Sequence, residues 1–83
     1  MKKTTSLRQD FGIRVRQLRE AAGWSQEAFA DMCGYARSYM SRVERGQGNP
    51  SLDAIEVFAS ALGVEAKALF EVSKGDSATR AKK

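Results

Sequence analysis

The side chains best suited to chemistry in this 83-residue sequence are arginines and hydroxyls between residues 37 and 45. Residues three and four apart lie side by side on a helix surface, so this stretch, interpreted as a helix, has a polar face and an apolar face. The polar face carries Arg37, Ser38, Ser41 and Arg42. Met40 and Val43 lie on the opposite face and are predicted to be buried. A guanidinium binds two acceptors at once on a phosphate or a guanine edge, so the pattern indicates a surface for a polyanion.

Residues that commonly perform catalysis or bind metals are scarce. The sequence has no histidine and one cysteine, Cys33, which excludes a histidine base, a Cys/His zinc site and an intramolecular disulfide. It also has no phosphate-binding glycine loop and no carboxylate pair on a clear cleft. We therefore predict that the protein is not an enzyme and has no cofactor or metal. Cys33 is interpreted as a small buried apolar residue.

Length and charge limit the class of protein. A chain of 83 residues is one domain at most, and its net charge of +4 is unevenly distributed. Residues 1–45 carry +4, residues 46–73 carry −3 and residues 74–83 carry +3. No apolar run approaches the ~18 residues of a membrane span, and the N-terminus has no apolar stretch typical of a signal peptide. We expect a cytoplasmic protein with no membrane partner, one face of which meets a polyanion.

Helix signals on either side of residues 37–45 predict the elements that position the arginines. Ser25 begins a helix that Gly34 ends, and the arginine-bearing helix follows directly, at about residues 37–45. Before this pair, Ser6 and Gln9 form a predicted capping box for a first helix that runs to about Ala22. Its predicted buried stripe consists of Phe11, Val15, Leu18 and Ala22, with Arg14 outward. A tight helix pair with a polar second helix is typical of proteins that read DNA.

The second half of the sequence predicts two further helices. Ser51 begins the fourth helix after a loop that contains two glycines and the only proline. Its predicted apolar face consists of Leu52, Ile55, Phe58, Ala59 and Leu62. A fifth helix is predicted at about residues 65–71. We divide the chain into a flexible N-terminus (1–5), a helical domain (6–72) and a disordered basic tail (73–83).

Several motifs together resemble one known family. These are RVRQLR at 14–19, GWSQ at 23–26, RSYMSRVERG at 37–46, NPSL at 49–52 and LGV at 62–64. They span about residues 11–70 and are similar to the lambda-repressor-like, or Xre-type, helix-turn-helix DNA-binding domains. The resemblance implies an all-α, compact five-helix domain with the helix-turn-helix at helices 2 and 3. It also implies that the third helix enters the major groove and that the protein is a dimer on a pseudo-palindromic operator.

The resemblance carries specific roles onto individual residues. Gln26, at the start of the second helix, matches a phosphate contact, and Arg37 is the first choice for base readout, followed by Arg42. Arg45 and Asn49 match backbone phosphate contacts. The complete predicted DNA-binding set is Gln26, Ala36, Arg37, Ser38, Tyr39, Ser41, Arg42, Arg45 and Asn49.

Other roles leave alternatives open. The resemblance pairs Arg19 with Glu44 as an ion pair that sets the angle of the third helix, although an ordinary surface pair is the alternative. Tyr39 either covers the edge of the core or contacts DNA, and Gln26 is alternatively a plain helix-start residue. A predicted dimer surface consists of Val57, Leu69, Phe70 and Val72, which alternatively complete the monomer core.

The sequence is also similar to the small controller proteins of restriction-modification systems, with phage repressors and general regulators as other contexts. Ala36 stands where a Ser or Thr cap is usual, and a missing cap costs a helix about 1 kcal/mol. We predict a sequence-specific transcriptional regulator that binds double-stranded DNA as a homodimer and needs no small-molecule effector. The alternative is an antitoxin or other protein-interaction module with the same fold.

Overall fold

The part of the chain between residues 6 and 71 folds into four α-helices and one short 3-10 helix. The computed structural model describes residues 6–71. The α-helices are α1 (Leu7–Ala21), α2 (Gln26–Cys33), α3 (Arg37–Glu44) and α4 (Leu52–Leu62), and the 3-10 helix is Ala66–Phe70. This part of the chain contains no strand, which confirms the all-α class. The predicted fifth helix is thus a five-residue 3-10 turn rather than a fifth α-helix.

Serine caps define three of the helix starts. The Ser6 hydroxyl accepts from the Gln9 backbone N–H at 3.0 Å, and the Gln9 side chain accepts from the Ser6 N–H at 3.3 Å, so the predicted capping box is confirmed. Ser25 and Ser51 cap α2 and α4 with single hydrogen bonds of 3.0 Å. Ala36 precedes α3 and offers no side-chain cap. Helix α3 therefore depends on tertiary contacts to hold its first turn.

The turn between α2 and α3 is set by Gly34. Its φ of +82° lies in the left-handed region, where a side chain would be strained. This residue ends α2 as the sequence predicts. Only two residues, Tyr35 and Ala36, then separate Gly34 from the start of α3. The reversal is accordingly tight, and α2 and α3 pack against each other.

The core lies where α1, α3, α4 and the 3-10 helix meet around Phe29 of α2. The Phe58 ring of α4 lies 6.2 Å from the Phe29 ring and 6.3 Å from the Phe11 ring, measured between centroids. The buried apolar residues are Phe11, Val15, Phe29, Ala30, Met40, Val43, Ala54, Phe58, Ala59 and Leu69. The predicted burial of Met40 and Val43 is confirmed, so the apolar face of α3 is fixed against the core.

Three sequence predictions about helix faces are wrong. Leu52 is 79% exposed, because the first residue of α4 lies beyond the end of the core, and Ala54 is buried on this helix instead. Ala22 is exposed because it is the C-cap of α1 rather than part of its buried stripe. Arg14 is half-buried, since its side chain crosses to the 3-10 helix.

The described helices include none long and apolar enough to cross a membrane. The predicted flexible N-terminus (1–5), the predicted disordered tail (73–83) and Val72 lie outside the described residues.

Candidate nucleic-acid interface

The outer face of α3 carries the predicted DNA-reading side chains. Arg37, Ser38 and Arg42 are exposed, and Ser41 is half-buried on the same helix. Ala36 is exposed at the start of the helix. The opposite face of α3 is buried, so these side chains project from a helix that is fixed to the domain. The structure thus brings the central part of the predicted set together on one surface.

Helix α3 lies against α1 at Gly12. A Cβ atom at Gly12 would lie 2.4 Å from the Val43 carbonyl oxygen and 2.8 Å from the Glu44 carbonyl oxygen. Both distances are shorter than any real Cβ contact, and both partners are backbone atoms that cannot rotate away. Only glycine allows the two helices to approach this closely. The separation of α1 and α3 is therefore set by the absence of a side chain at this position.

A buried ion pair joins α1 to the end of α3. Arg19 and Glu44 are 7% and 9% exposed, and the Arg19 Nε donates to Glu44 Oε2 at 2.7 Å while Nη2 donates to Oε1 at 3.1 Å. The remaining Arg19 nitrogen, Nη1, donates to the Trp24 carbonyl oxygen at 2.8 Å. Burial and two-point geometry distinguish this pair from an ordinary surface salt bridge. It fixes both the orientation of α3 and the loop that leads into α2.

Gln26 connects this ion pair to the first residue of α3. Its Nε2 donates to Glu44 Oε1 at 3.1 Å, and its Oε1 accepts from Arg37 Nη1 at 3.3 Å. Gln26, which the resemblance matches to a phosphate contact, thus has both its amide nitrogen and its amide oxygen in hydrogen bonds within the protein. Sequence reasoning missed this link, because the three residues come from the starts of α2 and α3 and the end of α3.

The arginines at the end of α3 differ in their surroundings. The Arg45 Nη1 donates to the Ser41 hydroxyl, and its Nη2 donates to Gln47 Oε1 at 3.3 Å. Among the residues that the structure describes, none forms a hydrogen bond or ion pair with the Arg42 side chain, although the Arg42 carbonyl oxygen accepts from the Gln47 N–H at 2.9 Å. Asn49 is exposed in the loop between α3 and α4. Arg45 is thus the C-cap of α3, and Asn49 lies farther along the segment that follows the helix.

Tyr39 packs against a second tyrosine. The Tyr35 and Tyr39 ring centroids are 4.8 Å apart, and the Tyr35 ring meets the edge of Phe58 at 5.8 Å. Burial, and secondarily the neighbouring Tyr35, raise the pKa of the Tyr39 hydroxyl above its usual value. The ring of Tyr39 thus covers the edge of the core. Sequence reasoning missed Tyr35, although its spacing of four residues from Tyr39 was a usable signal.

Arg14, which helical periodicity placed outward, instead contacts the 3-10 helix. Its Nε donates to the Ala68 carbonyl oxygen at 2.9 Å, and its Nη2 lies 3.8 Å from a Glu71 carboxylate oxygen. These contacts attach the 3-10 helix to α1. The arginine is therefore engaged in holding the fold and is not available to a polyanion.

The predicted dimer surface is not one surface. Leu69 is fully buried in the core, so its assignment to a dimer surface is wrong. Val57 lines a groove with Met32 of α2, whereas Phe70 lines another groove elsewhere. Val72 lies outside the described residues. Of the three described residues, Leu69 thus lies in the core, while Val57 and Phe70 lie on different surfaces.

The groove at Phe70 contains several exposed apolar side chains and is called the Leu7–Phe70 groove below. It is lined by Leu7, Arg8, Phe11, Asn49, Pro50, Ile55 and Phe70. Leu7 is 68% exposed and Phe70 is 41% exposed, although the Phe70 ring also packs 5.1 Å from Phe11. Leu52, one helical turn before Ile55, is 79% exposed. Since Asn49 lines the groove, this apolar patch borders the loop that follows α3.

The chain matches known proteins over most of its length. A family model described as a helix-turn-helix domain matches residues 10–71. A control protein from Bacillus amyloliquefaciens, C.BamHI, is 45% identical over 69 residues, which are 82% of this chain and 85% of that protein.

Two solved structures share the fold. The restriction-modification controller protein C.AhdI from Aeromonas hydrophila is 50% identical and has a TM-score of 0.73, with coverage of 75% of this chain and 94% of that chain. The biofilm regulator SinR, solved in complex with DNA, is 35% identical with a TM-score of 0.69, over 74% of this chain and 98% of that chain.

Proposed function

This chain belongs to the helix-turn-helix domain family and is a DNA-binding transcriptional regulator, and we propose that it reads an operator with α3 in the major groove. The observation that carries this proposal is the division of α3 into two faces. Met40, Val43 and Glu44 are buried, while Arg37, Ser38 and Arg42 project outward. A helix fixed by one face can hold the other at a constant position against base edges.

Base readout falls to Arg37 and then to Arg42, with Ala36, Ser38 and Ser41 completing the surface that faces the bases. Arginine bonds two acceptors of guanine in the major groove, which gives about 1–3 kcal/mol of discrimination for each good pair. Arg45 and Asn49 bind phosphates beside the groove, and Tyr39 donates its hydroxyl at the edge of the interface. Phosphate contacts provide affinity that falls with salt, and base contacts provide specificity.

The protein binds DNA as a homodimer through the Leu7–Phe70 groove. One α3 offers few base contacts, and a two-fold dimer doubles them on symmetric half-sites about one helical turn apart. Leu7 and Phe70 are the exposed apolar residues of this groove that a second copy would cover. Asn49 lines the same groove, so two copies joined there keep their DNA-reading surfaces near each other.

The biological context that we propose is control of a restriction-modification system. The two controller relatives are matched over 85% and 94% of their own lengths, so the likeness is not limited to a shared module. We propose no catalytic activity for the protein. We also propose that it acts in the cytoplasm, where its operator lies. A selected operator located upstream of restriction and modification genes would support this context.

Selection of bound sequences from random duplex DNA tests the proposed function. We expect a pseudo-palindromic consensus with two half-sites about one helical turn apart. Recovery of sequences no more alike than the starting pool would contradict sequence-specific binding. Recovery of a single unpaired half-site would contradict the dimer and leave base readout by α3 standing.

A further inference from the structure

The GWSQ motif at residues 23–26 contains one side chain to which the proposed function gives no role, that of Trp24. It is the only tryptophan of the chain, and it is 37% exposed. None of the residues that the structure describes accepts a hydrogen bond from its indole N–H. Tryptophan is enriched at interfaces because its ring is apolar while its N–H is a hydrogen-bond donor. Trp24 therefore has the chemistry of a residue that meets a binding partner.

The backbone of Trp24 is held by one arginine. Its N–H donates to the Arg19 carbonyl oxygen at 3.1 Å, and its carbonyl oxygen accepts from Arg19 Nη1 at 2.8 Å. The same guanidinium is buried and donates twice to Glu44 at the end of α3. The position of the Trp24 backbone relative to α3 is therefore fixed. An aromatic side chain with only two rotatable bonds then loses little conformational entropy when a partner covers it.

Trp24 lies close to the start of the proposed DNA-reading helix. It is two residues before Gln26, and two residues of chain span at most about 7 Å. Gln26 Oε1 in turn accepts from Arg37 Nη1, in the first turn of α3, at 3.3 Å. The major groove is about 12 Å wide, close to the diameter of a helix, so phosphates flank a helix that lies in it on both sides. Arg45 and Asn49 serve the C-terminal side of α3, which leaves the backbone at its N-terminal side to the residues before α2 and α3.

We propose that Trp24 binds the DNA backbone beside the start of α3, with its indole N–H donating to a phosphate oxygen and its ring packing against the adjoining deoxyribose. This inference rests on the proposed function, in which α3 enters the major groove. Trp24 and the pair of Arg45 and Asn49 then hold the DNA backbone at opposite ends of α3. The alternative is that Trp24 only covers the junction between α1 and α2.

A neutral donor and a cation differ in how their phosphate contacts respond to salt. An arginine releases counterions when it binds a phosphate, so its loss reduces the salt dependence of binding. The indole carries no charge, so its loss weakens binding by the same factor at every salt concentration. A phosphate carries no sequence information, and specific and random duplexes weaken alike. Equal weakening with an unchanged salt dependence thus identifies a neutral contact with the backbone.

The first experiment measures how strongly acrylamide quenches the fluorescence of Trp24 in the full chain, without DNA and with saturating operator or random duplex. Acrylamide is neutral, so the charge of the DNA does not repel it. We expect both duplexes to reduce the quenching, because both cover the indole. Quenching that is the same with and without DNA overturns the inference. This measurement needs no substitution, so it does not depend on whether a variant folds.

The second experiment uses Trp24→Phe, which keeps an aromatic ring and removes the indole N–H. We expect the Kd for operator and the Kd for random duplex to rise alike by about three- to tenfold, which corresponds to one lost hydrogen bond. The salt dependence of both should stay the same. Unchanged Kd values, or a loss confined to the operator, overturn the inference.

Met32→Ala is the matched control. Met32 is also a large exposed residue, at 44%, but it lies in the last turn of α2 and lines the groove shared with α4. Its loss should leave the Kd for both duplexes unchanged. An equal loss from Met32→Ala overturns the inference, because the effect is then not particular to Trp24. A wild-type protein that binds neither duplex overturns the proposed function instead, and the inference with it.

Discussion

Arg37 is the residue on which specificity is expected to depend. Replacement by alanine should lower discrimination between operator and random duplex by about 1–3 kcal/mol, since a two-point contact with a guanine is lost. Competition binding against random duplex measures this difference at a fixed salt concentration.

Arg45→Ala is the control for this substitution, because Arg45 is proposed to contact phosphate rather than bases. Its loss should weaken both complexes similarly and reduce the salt dependence of binding by about one phosphate contact. An unchanged discrimination ratio after Arg37→Ala would remove the base-reading role from that residue.

Glu44 stabilises the fold through its buried ion pair with Arg19. Glu44→Ala leaves Arg19 buried without its partner, and the loss of one member of a buried pair costs about 3–5 kcal/mol. Urea unfolding followed by circular dichroism measures this change. Glu65→Ala is the matched control, because Glu65 pairs with Lys67 at 3.9 Å and the two side chains are 81% and 77% exposed. That exposed pair should contribute under about 1 kcal/mol, and equal losses for both variants would argue against a buried structural bridge.

Helix α3 lacks a side-chain N-cap, and a single substitution can provide one. Ala36→Ser should raise the free energy of unfolding by about 1 kcal/mol, because the hydroxyl can accept from the backbone N–H of Tyr39 three residues on. Urea unfolding measures the gain. Ser51→Ala serves as the opposite control, since it removes the existing 3.0 Å cap of α4 and should cost a similar amount. No gain from Ala36→Ser would mean that the contact between Arg37 and Gln26 already holds the start of α3 in place.

The close contact between α1 and α3 at Gly12 gives a second prediction, about the packing of these helices. An alanine within a helix is ordinarily about 1 kcal/mol better than glycine. Gly12→Ala should instead destabilise the fold by about 1–3 kcal/mol, because its Cβ would meet the backbone of α3 at 2.4 Å. It should also lower discrimination, since α3 must move.

Gly23→Ala is the matched control for Gly12→Ala. Its Cβ would meet nothing within 4 Å, although its φ of +86° makes a side chain strained. It should cost about 1–2 kcal/mol of stability without changing discrimination. A stable Gly12→Ala variant with normal discrimination would show that the helices can separate without consequence.

At the scale of the whole molecule, the Leu7–Phe70 groove predicts how two copies associate. Leu7→Glu should produce a monomer by sedimentation and weaken operator binding, because a carboxylate from each copy would be buried between the copies. Leu7 begins α1, where an acidic side chain is favourable, so the fold should tolerate the substitution. Ile13→Glu is the control, as Ile13 is 51% exposed on α1 and does not line the groove. A Leu7→Glu variant that remains dimeric would exclude this surface.

Local structure was largely predictable from the sequence. The Ser6–Gln9 capping box, the Ser25 and Ser51 caps and the turn at Gly34 are each determined by residues within a few positions of one another. Helical periodicity likewise predicted that Met40 and Val43 are buried and that α3 has an arginine-bearing face. Local backbone chemistry and side-chain period act over the distance of one helical turn, so they can be predicted without the fold.

Contacts between distant parts of the chain were decided by the tertiary structure. Periodicity placed Arg14 outward, yet it binds Ala68, 54 residues away, and Leu69 lies in the core rather than on a dimer surface. The ion pair of Arg19 and Glu44 was predicted only through family resemblance. The amide of Gln26, between Glu44 and Arg37, was predicted by neither route. Hydrogen-bond partners depend on which helices meet and how closely, and that is determined here by core packing and by the absence of a side chain at Gly12.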